Sequence, residues 1–292
     1  MVLERSVPGD GVQLAVREWP GSTVARDGRA RSTLLLHGLA SSSHIWDLVA
    51  PRLAAVGLRV VAYDQRGHGR SGKPSSGYGF ERTTADAASV VRRLRLGRPV
   101  VAGHSWGANV ALELAVRYPR SVGAIVLIDG GFTSLHERMD WATARRELAP
   151  PDLAGTHVDE FLGWVRSGLG GGLRVTPEIE AVAMSLMRVD REGRIRPRLS
   201  RENHLRILHS LWAQDPHELL RRVRVPTLVL AVRPAEGDTI PVGFLRAKEQ
   251  AAAEVRAIGG PVRFQWATGI HDLPLLRPEL VARRIVTTGD RS

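Results

Sequence analysis

Gly103-His104-Ser105-Trp106-Gly107 joins an apolar run, Val100-Val101-Ala102, to a helix-forming stretch from Ala108 to Tyr118. A serine hydroxyl is a weak nucleophile unless the backbone presents it on a sharp turn, and a strand-to-helix turn strains its central residue. The glycines at 103 and 107 omit side chains that would collide with the adjoining strand and helix. Nucleophilic chemistry at Ser105 is the reading this pattern supports. Three more groups follow apolar runs: His37-Gly38-Leu39, Asp129-Gly130-Gly131, and His271 within Gly269-Ile270-His271-Asp272-Leu273-Pro274. The chain has no cysteine, so thiol nucleophiles, disulfides and thiolate metal sites are excluded. No pair of histidines stands at i, i+4 beside a carboxylate, and Gly67-His68-Gly69 lacks the third glycine of a dinucleotide loop. The expectation is chemistry with no metal and no cofactor.

Leu34-Leu36, Val60-Tyr63, Val100-Ala102, Ala124-Ile128, Thr227-Leu230 and Val262-Trp266 are short apolar stretches closed by Gly, Asp or Pro. Continuous rather than alternating apolar runs suit strands covered on both faces, as in a parallel sheet. Helical patterns fall between them at His44 to Ala55, Thr84 to Leu94 and Ala108 to Tyr118, which predicts right-handed crossovers. The opening segment, Glu4 to Glu18, alternates and turns at Gly9-Asp10-Gly11, the pattern of an antiparallel hairpin at a sheet edge. The predicted fold is α/β: a doubly wound, mostly parallel eight-stranded sheet. Ligands of such sheets bind beyond the carboxyl ends of the strands, where all four groups would lie.

From Phe132 to Arg222 the rhythm changes to helical stretches with no convincing strand. This predicts a helical cap, residues 132–222, inserted between a core of 1–131 and its continuation in 223–292. Trp141, Trp164 and Trp212, with Phe161, Leu162, Met184 and Met187, either line a substrate cavity or form the cap's own core. Gly168-Leu169-Gly170-Gly171-Gly172 reads as a lid hinge or an inert loop.

Jointly, His37-Gly38, Asp64-Gln65-Arg66-Gly67-His68-Gly69-Arg70-Ser71, Gly103-His104-Ser105-Trp106-Gly107 and His271 resemble the α/β-hydrolases that carry a helical cap. The resemblance covers roughly residues 10 to 131 and 223 to 288. It implies Ser105 as nucleophile and His271 as general base, with the backbone N–H groups of Leu39 and Trp106 as oxyanion donors. A neutral imidazole is then required, so activity should fall on the acid side of its pKa, ordinarily about 6.5. His37, His68 and His104 each sit beside a turn glycine and are expected to support backbone geometry. In most relatives the acid follows the seventh strand, but the position that count reaches here is Ala235. Asp129, after the sixth strand and 24 residues beyond Ser105, is favoured, with Glu236 and Asp238 as the alternatives. Asp64 is assigned to a structural turn.

Serine at the elbow argues against the carboxylate-nucleophile chemistry of epoxide hydrolases and haloalkane dehalogenases of this fold. The expected function is a serine hydrolase of a carboxylic ester or lactone. Alternatives are hydrolysis of a carbon–carbon bond in a diketone, with Ser41, Ser42 and Ser43 as extra polar groups or a helix cap, and a non-catalytic small-molecule receptor. The net charge of +11 invites a nucleic-acid reading, but the arginines are dispersed, and arginine has replaced lysine at all but Lys73 and Lys248. The expected partner is a small-molecule ester or lactone, with no nucleic acid and no membrane span, for a monomer or homodimer. Met1 to Gly11 lacks a signal-peptide apolar stretch, so a cytoplasmic location is expected.

Overall fold

Residues 2–21, 32–168, 173–235 and 242–291 are described, in a computed structural model. The chain opens with β1 (Leu3–Pro8) and β2 (Gln13–Trp19), the expected antiparallel hairpin. Then follow β3 (Ser32–Leu36), α1 (Ala50–Ala55), β4 (Arg59–Tyr63), α2 (Phe80–Arg93), β5 (Val100–His104), α3 (Trp106–Arg117) and β6 (Ala124–Ile128). Between β6 and the next core strand lie α4 (Trp141–Glu147), α5 (Val158–Gly168), α6 (Pro177–Ser185), β7 (Met187–Val189), β8 (Ile195–Pro197), α7 (Arg201–Ala213) and α8 (Pro216–Arg222). The chain finishes with β9 (Thr227–Arg233), α9 (Val242–Ile258), β10 (Val262–Thr268), α10 (Leu273–Leu276) and α11 (Pro278–Gly289).

Eight strands form one sheet in the order β1-β2-β4-β3-β5-β6-β9-β10, parallel from β4 to β10 with the two antiparallel pairings at the N-terminal edge. The continuous apolar runs have the predicted cause. Leu34, Leu36, Val101, Ile125, Leu127 and Val229 face one core, while Leu35, Ala102, Val126, Ile128, Leu228 and Leu230 face the other. Successive side chains alternate between the faces, and helices cover both.

Two expectations are corrected. His44 to Ala55 is not one helix but a short 3₁₀ turn at Ser43–Trp46 followed by α1. Pro51 has no N–H to give the preceding turn and suits only the start of a new helix, while Trp46 is fully buried. The insertion also contains strands, since β7 and β8 pair antiparallel. Each has three residues, too few to show a period, and the signal lies in their turn. There Asp190 Oδ1 accepts from the N–H of Glu192 and of Arg194, and Gly193 adopts φ 74°.

Phe161, Val165, Met187 and Ile195 make a small core within the insertion, with Met184 and Leu186 packed against it. Among the described residues no helix is long and apolar enough to cross a membrane.

Candidate active site

The parallel register sets the first distance in the site. His104 pairs with Ile128 across β5 and β6, and the Ser105 N–H donates to Ile128 O at 2.9 Å, so Ser105 and Asp129 leave adjacent strands side by side. Ser105 sits at φ 54°, ψ −125° and Asp129 at φ 45°. Positive φ in residues with a Cβ is uncommon, and it concentrates where function requires a sharp turn. Ala40, in the loop after β3, shares it at φ 56°. The glycines meet the sequence argument: a Cβ on Gly103 would lie 2.1 Å from Gly107 O, and one on Gly107 2.3 Å from Leu36 O. A Cβ on Gly130 would lie 2.2 Å from Ser105 O, so three glycines allow the elbow to close.

His271 reaches Asp129 from the loop between β10 and α10. Its Nδ1 donates to Asp129 Oδ2 at 2.7 Å. The carboxylate can only accept, so this bond places the imidazole proton on Nδ1 and leaves Nε2 bare. Asp129 is almost fully buried, whereas the His271 side chain is 54% exposed. The other carboxylate oxygen, Oδ1, accepts from the Val232 N–H at 2.8 Å and from Lys248 Nζ at 2.6 Å. Burial alone would raise the Asp129 carboxyl, but the His271 hydrogen bond and the Lys248 charge more than offset it and hold it at about 2. For His271 burial works against the charged ring, yet the hydrogen bond and charge of Asp129 hold its pKa above the ordinary value.

The histidines beside turn glycines hold backbone, as expected. His37 Nε2 accepts from the Gln65 N–H at 2.9 Å, and His68 Nε2 accepts from the Ala40 N–H at 3.3 Å. His104 Nε2 donates to His271 O at 2.9 Å and so anchors the loop that carries the candidate base. Burial, then the neighbouring His271, push His104 down to about 4. Asp64 accepts from the N–H groups of Ser43 and Arg70, the structural role assigned to it. Ser42 Oγ caps His44 N at 3.2 Å and contacts Ser185 Oγ at 2.7 Å, which ties the loop after β3 to α6.

Ser105, His271 and Leu39 line one cavity of about 200 Å³, with Gly38, Ala40, Ser41 and Ile45 on the sheet side. Trp106 is the first residue of α3, so its N–H lacks an intrahelical acceptor. Its indole is buried and stacks on His68 rather than walling this cavity. The cavity's roof is α6, through Ile179, Val182 and Ala183, with Leu186 just past its end.

The tryptophans are elsewhere. Trp141 and Trp212 pack together with His209, Trp212 Nε1 donates to Met139 O at 2.8 Å, and Trp164 is 47% exposed. None of the three lines the cavity beside Ser105. The lining residues missed at the sequence level stand at 179, 182, 183 and 186, the i, i+3, i+4, i+7 pattern that marks one helical face. Glu236, Asp238 and the glycines at 170–172 fall outside the described residues.

A second depression, about 320 Å³, lies over the N-terminal hairpin and is lined by ion-paired groups such as Glu4, Arg17 and Arg70. It holds none of the candidate catalytic residues. No group of three or more His, Asp or Glu side chains is arranged to hold a metal ion among the described residues.

The family model described as alpha/beta hydrolase fold matches residues 34–233. The 2-(acetamidomethylene)succinate hydrolase of Mesorhizobium japonicum is 36% identical over 106 residues, 36% of this chain and 38% of that protein. The aligned stretches span less than half the length of the first curated relatives matched. In fold, the chain is similar to the crystal structure of E-2-(acetamidomethylene)succinate hydrolase, with a TM-score of 0.78 and 24% identity over 99% of this chain and 100% of that one. It is also similar to the enol-lactonase of Burkholderia xenovorans LB400, with a TM-score of 0.68 and 19% identity over 97% and 99% of the two chains. With a family model matching residues 34–233 and with Ser105, the loop after β3 and the His271 imidazole lining one cavity, the chain belongs to the α/β-hydrolase fold family.

Proposed function

We propose that this protein is a serine hydrolase that cleaves a carboxylic ester or lactone through an acyl-enzyme, with Ser105 as nucleophile, His271 as general base and Asp129 as the acid. The observation that carries this reading is the 2.7 Å bond from His271 Nδ1 to buried Asp129, with Ser105 and His271 facing one cavity. That bond leaves Nε2 free to take the Ser105 proton as Oγ attacks the acyl carbon. The developing oxyanion is then met by the N–H groups of Leu39 and Trp106, each contributing about 3 kcal/mol to the transition state. Protonated Nε2 returns the proton to the leaving alkoxide, and water repeats the sequence to release the acid. Because Ser105 is an alcohol, the covalent intermediate is an acyl ester, which suits acyl substrates rather than epoxides.

The cap, residues 132–222, selects the acyl group through α6. At about 200 Å³ the cavity is small, since ligand pockets run from about 300 to 1,000 Å³. Short acyl chains or a compact lactone fit it best. The test combines hydrolysis of p-nitrophenyl acetate, butyrate and octanoate with intact-mass detection of a fluorophosphonate adduct, on the wild type and on Ser105→Ala. The expected result is turnover and one adduct, both lost in Ser105→Ala. An adduct that survives in Ser105→Ala, or the lack of both adduct and turnover in the wild type, overturns the proposal.

A further inference from the structure

Arginine outnumbers lysine throughout this chain, with only Lys73 and Lys248 as lysines, and Lys248 stands against the candidate acid. It projects from α9, is 7% exposed, and donates from Nζ to Asp129 Oδ1 at 2.6 Å and to Val232 O at 3.0 Å. The Val232 N–H donates to the same Oδ1, so that oxygen is held by two donors and Oδ2 is left for His271. A compact ammonium with three rotatable donors suits two acceptors in so small a space, whereas a planar guanidinium is built for a broader, forked contact.

We infer that Lys248 is a positioning residue of the active site: it locks the Asp129 carboxylate so that Oδ2 meets His271, and its charge tempers the carboxylate's pull on the imidazole proton. This rests on the proposed roles of Ser105, His271 and Asp129. Among the described residues, the groups facing the imidazole are Asp129 from the end of β6, Lys248 from α9, His104 from β5 and Asp272 beside it in the chain. His104 donates Nε2–H to His271 O, and its depressed pKa keeps it neutral near pH 7. Among the described residues the fixed charges acting on the imidazole are therefore two carboxylates and one ammonium. Without the ammonium, imidazolium gains stability and His271 becomes a base that stays protonated to higher pH. Lys248 thus keeps His271 in its working, neutral form at lower pH.

The test is the pH dependence of Ser105 labelling by a fluorophosphonate in Lys248→Met, Lys248→Gln and Lys248→Arg, with thermal melts alongside. Met and Gln remove the charge, and the acid-limb midpoint should rise by about one pH unit, a tenfold change in proton affinity. Arg keeps the charge, and the midpoint should stay in place even where the maximal rate falls through poorer fit. If Met does not fold, Gln decides. A merely structural lysine would lower rates or melting temperatures and leave every midpoint where it was, which overturns the inference. Absence of wild-type Ser105 labelling would instead overturn the proposed function, so the two failures are distinguishable.

Discussion

Replacing Asp129 by asparagine separates two jobs that one carboxylate performs. Oδ1 faces two donors, the Val232 N–H and Lys248 Nζ, while Oδ2 faces the His271 Nδ1–H. An amide at this position must turn its single carbonyl oxygen toward Val232 and Lys248, because an NH₂ there would oppose two donors. The NH₂ then points at His271 Nδ1, which has to become an acceptor, and the ring proton moves to Nε2. A ring protonated on Nε2 cannot take the Ser105 proton, so labelling and turnover should fall by about 10⁴-fold, as wrong-tautomer variants do. The same substitution leaves the Lys248 charge buried without its counter-ion, which costs about 3 kcal/mol. For a chain of this size that lowers Tm by about 5 °C. Adding Lys248→Met should recover most of the lost Tm and none of the lost rate. Fluorophosphonate labelling followed by intact mass gives the rate, and calorimetry gives Tm, for the wild type, both single variants and the double. Labelling of Asp129→Asn within tenfold of the wild type would refute Asp129 as the acid, and Glu236→Gln and Asp238→Asn would then be expected to carry the loss. A Tm that does not fall in Asp129→Asn, or that does not recover in the double variant, would refute the charge-pair argument.

Val182→Phe, which fills the roof of the small cavity, should lower kcat/KM for p-nitrophenyl butyrate by at least about tenfold and leave acetate less affected. Equal losses for both esters would show that α6 does not form the acyl pocket. Trp212→Ala should reduce Tm rather than change chain-length preference, because that indole lies outside the cavity. In the proposed mechanism His271 must be neutral and its pKa is raised, so kcat/KM should fall as pH drops, with a midpoint above 6.5. A midpoint below that value would mean that Asp129 does not charge-stabilise the ring. Stability should also fall in acid: His104, held at about 4 when folded against 6.5 as its ordinary value, contributes stability that is complete above the higher value and lost as pH falls through the lower. The loss is about 3 kcal/mol. Urea melts across that range should show a shallower pH slope in His104→Gln, and an unchanged slope would assign the acid sensitivity to other groups.

Much of this architecture can be read along the chain because local chemistry is sufficient to specify it. Leu34-Leu36 and Ala124-Ile128 are continuous apolar runs because both faces of the sheet are covered, so every residue of such a strand is buried. Gly103 and Gly107 mark the elbow because backbone passes where their side chains would be. The cavity lining is equally present in the sequence, as apolar residues at 179, 182, 183 and 186, but large aromatic residues such as Trp141, Trp164 and Trp212 are the stronger local signal. Those rings are large enough to make the cap's own contacts or lie on its surface, and size by itself says nothing about which face of the cap meets the sheet.

Ser105 and His271, with the carboxyl end of the sheet as their expected meeting place, are legible in the sequence because each follows a strand-like apolar run and ligands of parallel sheets bind beyond the strands' carboxyl ends. Asp129 was favoured from its place after β6, but its partners were not legible. His271 lies 142 residues away and Lys248 119 residues away, and only the lateral packing of β6, β9, β10 and α9 brings them within hydrogen-bond reach. The rarity of lysine marked position 248 as unusual without indicating what it touches. Local backbone preferences act over a few residues and leave traces in spacing. An ion pair inside the fold is set by distances and burial that arise only once distant segments have packed, and so the tertiary structure alone decided how the Asp129 carboxylate is held.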